Sequence, residues 1–387
     1  FPYTTLFRSY IFNTNNNGLI QINNDIFTEE EREYLRVNRF WVDDNEDEIA
    51  LLEREINHNI QKRQKELELT IVLTNYCNFS CVYCYQNKNE KLMTTEVANM
   101  IIEKIDRILN DNIFEGINIH YFGGEPLLNI PVLIYLDENI KKITDKIGIV
   151  YKAFLTTNGS MLSKELLQKV KFSSIQLTFD GLEKTHDRLR VSDHFHFKEE
   201  IELIENIMNF SQAKVLLRTN ICKENKDEII ALHKYIFEKF GNERIEINPN
   251  RTIKYHQDDS FEMLSVQEYA EVAYQIKLLW SEQKGKFELP VPRSTPCKFP
   301  YGNAYAISPE GYCTFCSGSM DQEKKYFFDV DIENKKMFSV RKECKKCNIL
   351  PLCLGGCIIQ YNLRAGACTY EKYELKNILI SYIKHIS

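Results

Sequence analysis

Apolar positions recur in two rhythms along the chain, and the change of rhythm divides it. Between residues 68 and 250, short runs rich in β-branched residues at 69–73, 116–121, 149–156, 174–179, 214–221 and 244–247 predict six strands. Stretches of helical periodicity near 94–110, 130–146, 163–170, 197–210 and 225–240 fall between them. Strand–helix alternation of this kind calls for a parallel sheet with helices outside it. Six strands are too few to close the side-chain-filled eight-stranded barrel. The expected fold class is therefore α/β, an open partial (β/α)6 barrel of TIM-like type, with its working edge at the C-terminal ends of the strands.

The flanks read differently. Residues 10–67 are Asn-rich and then acidic, with an apolar stretch Gly18-Leu-Ile-Gln-Ile22 and the helix start Thr28-Glu-Glu-Glu31, which has the form of a capping box. A charged helix is predicted from about residue 44 to 67, giving a small N-terminal α+β module. The barrel domain spans 68–285, a Cys-rich segment spans 286–370, and a C-terminal helix covers 371–387. Residues 1–9, Phe-Pro-Tyr-Thr-Thr-Leu-Phe-Arg-Ser, resemble the translation of a sequencing-library adapter and precede a chain without an initiator Met, so they are set aside as an artefact.

Composition narrows the class. The chain has 387 residues, 43% hydrophobic and 27% charged, enough to bury a full core in two or three domains. No apolar run approaches the roughly 18 residues needed to span a bilayer, and a net charge of −6 gives no basic footprint for nucleic acid. Twelve cysteines are too sparse for a disulfide scaffold, and all but Cys222 fall within 77–84 and 297–368. Clustered thiols point to metal in a reducing compartment, and the expected location is the cytoplasm.

The sharpest signal is Cys77, Cys81 and Cys84 in T-N-Y-C-N-F-S-C-V-Y-C-Y, a C-x3-C-x2-C triplet. A cubane 4Fe–4S cluster normally takes four thiolates, so three leave one iron open, as a catalytic metal site requires. A zinc loop or buried thiols is the plainer alternative for the triplet alone. Phe122-Gly123-Gly124-Glu125-Pro126 ends the second strand; its glycines allow close backbone approach to a ligand, and Glu125 can accept from an ammonium. Leu155-Thr-Thr-Asn-Gly159 and Leu177-Thr-Phe-Asp-Gly181 end the next two strands. A second string, Cys344-x2-Cys347-x5-Cys353-x3-Cys357 followed by Cys368, is preceded by Cys297, Cys313 and Cys316.

In combination these motifs resemble the radical S-adenosylmethionine (SAM) enzymes that carry a C-terminal SPASM domain, over about residues 69–370. The resemblance implies that Cys77, Cys81 and Cys84 hold a cluster whose open iron is chelated by SAM. Cleavage of SAM then yields a 5′-deoxyadenosyl radical. It also implies that Tyr83 lies against the adenine and that Gly123, Gly124, Glu125 and Pro126 receive the SAM amino group. Arg190 stands where relatives carry an arginine contacting SAM, and Asn158, Thr178 and Asp180 are candidate SAM- or substrate-facing groups. Two auxiliary 4Fe–4S clusters follow from the same resemblance. Cys344, Cys347, Cys353 and Cys368 would hold the outer one, and Cys297, Cys316 and Cys357 the inner one. Either Cys313 closes that inner cluster or one iron stays open to a substrate thiolate.

The substrate class implied is a peptide or protein, with a leader sequence recognised by residues 10–67 through strand addition to 18–22. A structural flap is the plainer reading of that module. The product would be a thioether or another side-chain crosslink, and the electron source an external low-potential donor of flavodoxin or ferredoxin type. Anaerobic sulfatase-maturing enzymes are the nearest alternative; they carry an Asp after the cysteine matching Cys316, where this chain has Ser317. A plain iron–sulfur electron carrier would have no use for the G-G-E-P and T-F-D-G segments. Four residues are read as ordinary structure: Cys222 as a packed or semi-exposed thiol, His120 as a satisfied strand histidine, and His194 and His196 as too few ligands for a metal.

Overall fold

The computed structural model describes residues 4–7, 10–22, 27–43, 45–111, 114–241, 244–254, 261–314, 316, 325–330, 337–357 and 368–386. It divides into two compact units, each made of separated segments of chain.

The first unit joins Phe1–Lys62, Ser265–Tyr301 and Lys336–Ser387. Strands β1 (Thr4–Phe7), β2 (Tyr10–Asn13) and β3 (Gly18–Gln21) form an antiparallel sheet in that order. Residues 4–7, set aside in the sequence reading, therefore take part in the fold: Thr4–Phe7 pairs residue by residue with Asn13–Tyr10. Helix α1 (Glu29–Val37) starts at the expected capping box, with the Thr28 hydroxyl accepting from Glu31 N–H and the Glu31 carboxylate accepting from Thr28 N–H. Ile11, Leu35 and Phe40 close a small core beneath the hairpin, against Ile20, Ile22 and Phe27.

Helix α2 (Glu48–Arg63) follows, and its apolar stripe Leu52, Ile56 and Ile60 packs on Phe338, Val340, Leu350 and Leu354 of the Cys-rich segment. Asn57 fastens this contact by donating to the Phe338 carbonyl (2.9 Å) and accepting from its N–H (2.7 Å). Phe12 similarly joins Ile349, Leu352 and Cys353 in a core with Leu375 and Leu379. The first unit thus takes in residues of the N-terminal module and of the Cys-rich segment together. Within it the small N-terminal module shares a core with residues 338–354.

The second unit joins Arg63–Leu264 and Gly302–Lys335. Its parallel strands are β4 (Glu66–Val72), β5 (Gly116–Phe122), β6 (Val150–Thr156), β7 (Phe172–Thr178), β8 (Lys214–Ile221) and β9 (Ile245–Arg251), neighbours in that order. Helices α3 (Thr95–Asp111), α4 (Ile130–Ile147), α5 (Lys164–Lys169), α6 (Glu183–Leu189), α7 (Phe197–Phe210) and α8 (Ile229–Phe240) connect them. All six expected strands and five expected helices are present; the short α6 is additional. In the first unit α9 (Val266–Lys284), α10 (Lys298–Tyr301), α11 (Leu350–Cys353) and α12 (Glu371–Ile386) complete the helices. Strands β10 (Ala304–Ile307), β11 (Tyr312–Thr314) and β12 (Lys325–Tyr326) extend the second unit's sheet beyond β4, which β10 joins in parallel.

Burial alternates along the parallel strands. Val215, Leu217 and Ile221 of β8 are buried, whereas Leu216, Arg218 and Asn220 on the opposite face are half-buried. The same face carries the polar residues His120, Thr156, Gln176 and Asn248 beside Phe154 and Leu216. No helix among the described residues is long and apolar enough to cross a membrane.

Candidate active site and the cysteine clusters

The cysteine loop leaves β4 at its C-terminal end and is fixed by backbone on two sides. On one side Gly124 N–H donates to the Thr74 carbonyl and Glu125 N–H to the Tyr76 carbonyl, each at 2.8 Å. A Cβ on Gly123 or Gly124 would collide with those same carbonyl oxygens. The close approach that the G-G pair permits is thus that of the chain's own cysteine loop. On the other side Ser80 N–H donates to the Val191 carbonyl (2.8 Å) and Val82 N–H to the Leu189 carbonyl (3.0 Å). These two bonds flank Cys81 on one strand of chain and Arg190 on the other.

Within the loop Cys77 and Cys81 are half-buried and Cys84 is exposed. The Cys77 sulfur accepts from Phe79 N–H at 3.4 Å and from Asn158 Nδ2 at 3.9 Å. Asn158 also donates to Asn78 (2.8 Å), tying the loop to the end of β6. Burial pushes the Cys77 thiol up and the Cys81 thiol up to about 11, with Arg190 opposing the latter shift. Metal loading must therefore displace protons from these sulfurs. No group of three or more His, Cys, Asp or Glu among the described residues converges as around a single ion. A cubane asks for something else, since each of its ligands binds a different iron. Three thiols on one backbone-anchored loop, two of them screened from water, suit such a cluster.

Glu125 is fully buried. Its carboxylate accepts from Thr157 Oγ1 (2.6 Å), Asn158 N–H (2.6 Å) and Leu127 N–H (3.0 Å), the last capping a 3₁₀ turn at Pro126–Asn129. Burial pushes its pKa up to about 7, against the pull of these three donors. A carboxyl with a raised pKa in the folded state favours folding at low pH, and that contribution is lost between its ordinary 4.5 and about 7. The loss amounts to ~3 kcal/mol at 1.4 kcal/mol per unit. In urea unfolding of the metal-free protein, Glu125→Gln should therefore gain on wild type by about that amount between pH 4.5 and 7.5. A stability difference that stays flat with pH would contradict this.

Asp180 is buried as well, accepting from the Tyr83 hydroxyl at one oxygen and from Asn220 N–H at the other (2.6 Å). Burial raises its pKa, while Arg190 and Tyr83 oppose the rise. Tyr83 itself stands edge-on to Phe261, with ring centroids 6.5 Å apart. Thr178 is buried at the end of β7. Arg190 is buried at the end of α6, its guanidinium 5.4 Å from the Phe79 ring. Burial works against its charge, but Glu200, Tyr83, Cys81 and Asp180 together outweigh burial and hold its pKa above the ordinary value. The triplet, Glu125, Asn158, Asp180, Tyr83 and Arg190 are thus joined through one set of hydrogen bonds and neighbouring charges. The sequence reading passed over Glu200, though a carboxylate on the apolar face of α7 was a signal.

Comparison with known proteins agrees with this arrangement. The sequence profile of the radical SAM superfamily matches residues 71–236, the stretch holding the triplet and the G-G-E, Asp180 and Arg190 positions. Residues 71–236 thus form a radical SAM domain. The chain is 34% identical over 119 residues to the uncharacterized protein MJ0907 of Methanocaldococcus jannaschii, covering 30% of this chain and 39% of that one. Against the radical SAM cyclopropyl synthase TigE of Paramaledivibacter caminithermalis it is 24% identical over 372 residues, covering 84% and 76%. The first of these matches thus spans well under half of the relative's length, the second about three quarters. Among solved structures it resembles anSMEcpe with bound AdoMet at TM-score 0.66 and 18% identity, covering 83% and 98%. It resembles Streptococcus suis SuiB bound to S-adenosylmethionine at TM-score 0.54 and 17% identity, covering 95% and 98%. The α/β fold is common to this chain and these two structures.

The other cysteines lie as follows. In the first unit Cys344 and Cys347 are half-buried against the α2 core, and Cys347 N–H donates to the Cys344 carbonyl at 3.0 Å. Cys353 is buried at the end of α11, and Cys357 and Cys368 are exposed. Cys297 is exposed before α10. In the second unit Cys313 is buried on β11 and Cys316 is half-buried beyond it. Ser317 lies outside the described residues. Cys222 is fully buried with Leu189 and Phe261, and His120 Nε2 sits 2.8 Å from Thr156 Oγ1.

Proposed function

We propose that this radical SAM enzyme modifies a ribosomally made peptide, forming a thioether or another side-chain crosslink. The observation that carries the reading is the C-x3-C-x2-C loop bonded by backbone to the G-G-E turn on one side and to the residues flanking Arg190 on the other. Cys77, Cys81 and Cys84 would hold the SAM-binding cluster. Glu125, Asp180, Asn158 and Arg190 are the polar groups placed to bind and orient SAM beside it. The loaded cluster and SAM supply a 5′-deoxyadenosyl radical. The face of the sheet that carries His120 and Gln176 is where the substrate segment would lie.

A peptide substrate is supported by two structural neighbours. One anSMEcpe structure holds a Kp18Cys peptide and one SuiB structure holds its precursor peptide SuiA. The Cys-rich segment is read as a SPASM domain with two auxiliary clusters. Anaerobic reconstitution should then bring the chain to about twelve irons, four per cubane. A value near four, with zinc bound, would remove the auxiliary clusters from the account. The formylglycine-generating alternative retains the support of the anSMEcpe fold but lacks an Asp at position 317.

Leader recognition is proposed for the N-terminal sheet. Strand β3 lies at its edge, and a groove of about 580 Å3 beside it is lined by Ile20, Ile22, Phe27, Tyr34 and Leu35 with Glu30 at hand. An extended peptide pairing with β3 would place alternate side chains in that groove. Deleting residues 10–67 would also strip the core from residues 338–354, so point changes are the cleaner test. Tyr34 is exposed, at 55%, so its replacement should spare the fold. Tyr34→Ala should weaken leader binding roughly tenfold, as loss of an aromatic anchor does, with SAM cleavage unchanged. Equal leader affinity in fluorescence anisotropy would place recognition elsewhere.

A further inference from the structure

Position 200 is out of pattern. Helix α7 buries Phe197, Ile201, Ile204 and Ile207 on its inner face, and Glu200, one turn along the same face, is fully buried with them. A carboxylate costs several kcal/mol there unless something compensates it. Neither of its oxygens has a hydrogen-bond partner among the described residues; His186 Nε2 lies 3.1 Å from one and Arg190 Nη2 lies 4.0 Å from the other. His186 is itself buried between Phe179 and Phe197. Its Nδ1 accepts from Asp180 N–H at 3.4 Å, which leaves Nε2 to carry the proton facing Glu200.

Arg190 is buried yet unsaturated. Its contact with Glu200 is too long for a bidentate pair, and its Nε has no hydrogen-bond partner among the described residues. The backbone bonds from Ser80 and Val82 to the residues on either side of Arg190 place it beside Cys81. A buried guanidinium with an unused donor next to a cofactor-binding loop is built to receive an anionic group.

We propose that Glu200, with His186, is a positioning residue that holds Arg190 so that its unused donor faces the carboxylate of SAM. This rests on the reading that Arg190 meets SAM. Without Glu200 the guanidinium would turn toward the other anions within its reach, Asp180 among them, and away from the ligand. Glu200 also partly neutralises Arg190, an effect that on its own would weaken carboxylate binding. The two effects carry opposite signs, so the experiment decides between them.

The test is equilibrium dialysis of SAM and of its decarboxylated analogue against cluster-loaded full-length protein, at matched iron content and melting temperature. Arg190→Ala and Glu200→Gln should each weaken SAM binding roughly tenfold, as loss of a charge-assisted hydrogen bond does, and alter the analogue's affinity less than about twofold. Glu200→Asp should recover part of the loss. If Glu200→Gln weakens both ligands equally, the residue is merely structural; unchanged or tighter SAM binding shows neutralisation instead; either result overturns the proposal. If Arg190→Ala itself binds SAM normally, the reading of Arg190 has failed, whatever Glu200 does. Should Glu200→Gln not fold, His186→Asn carries the test, with the same SAM-selective loss expected and an unselective loss or none overturning it.

Discussion

Replacing Cys77, Cys81 and Cys84 together by Ala should abolish 5′-deoxyadenosine formation, to below one part in a thousand of wild type, while leaving the remaining clusters spectroscopically intact. The three sulfurs are the only protein ligands proposed for the SAM-binding cluster, and truncation to a methyl leaves no atom able to bind iron. The fold should survive. The loop is held by backbone bonds through Ser80, Val82, Gly124 and Glu125, none of which involves a cysteine side chain. Iron in the triple variant should fall by about four per chain, the content of one cubane. A triple variant that still cleaves SAM under reductant would show that the triplet is not the site.

Gly124→Ala should be severely damaging, since a Cβ there makes the shortest approach to backbone among the described glycines. Its Cβ would run into the Tyr76 carbonyl, which is backbone and cannot rotate away, and which already accepts from Glu125 N–H. Separating the turn from the cysteine loop breaks that bond and displaces Cys77, the neighbour of Tyr76. A cost of about 3 kcal/mol is expected in urea unfolding, together with loss of SAM cleavage. Gly148→Ala is the control. A methyl group there would meet no atom within 4 Å, but the glycine's φ is +82° at the end of α4. It should cost about 1 kcal/mol, the penalty of left-handed backbone alone, with catalysis untouched. Equal costs for the two would refute the clash.

The parallel sheet was legible because its strands are buried runs bounded by turn signals. β8 lies at 214–221 as read, and α7 at 197–210. The cysteine triplet was legible because its three thiols sit within eight residues of one loop. What stayed hidden depends on distance along the chain. Nothing local marks Asn57, whose amide meets Phe338 across 281 residues, or β10, which joins β4 only in the folded sheet. The helix α6 is seven residues long, too short to show a period, yet it delivers both His186 and Arg190. The G-G pair was read as making room for a ligand, whereas its methyl-free faces lie against Thr74 and Tyr76. Spacing groups residues that are close together in sequence, but it does not reveal a packing partner that arrives from elsewhere.

The central claim is that this chain uses its cysteine loop to cleave SAM and act on a peptide. The most direct measurement is anaerobic incubation of the reconstituted full-length protein with SAM and dithionite, followed by chromatography for 5′-deoxyadenosine. The account predicts formation of 5′-deoxyadenosine with one methionine released for each molecule, dependent on reductant and lost in the triple cysteine variant. Absence of the nucleoside from protein whose SAM-binding cluster is spectroscopically present would contradict it.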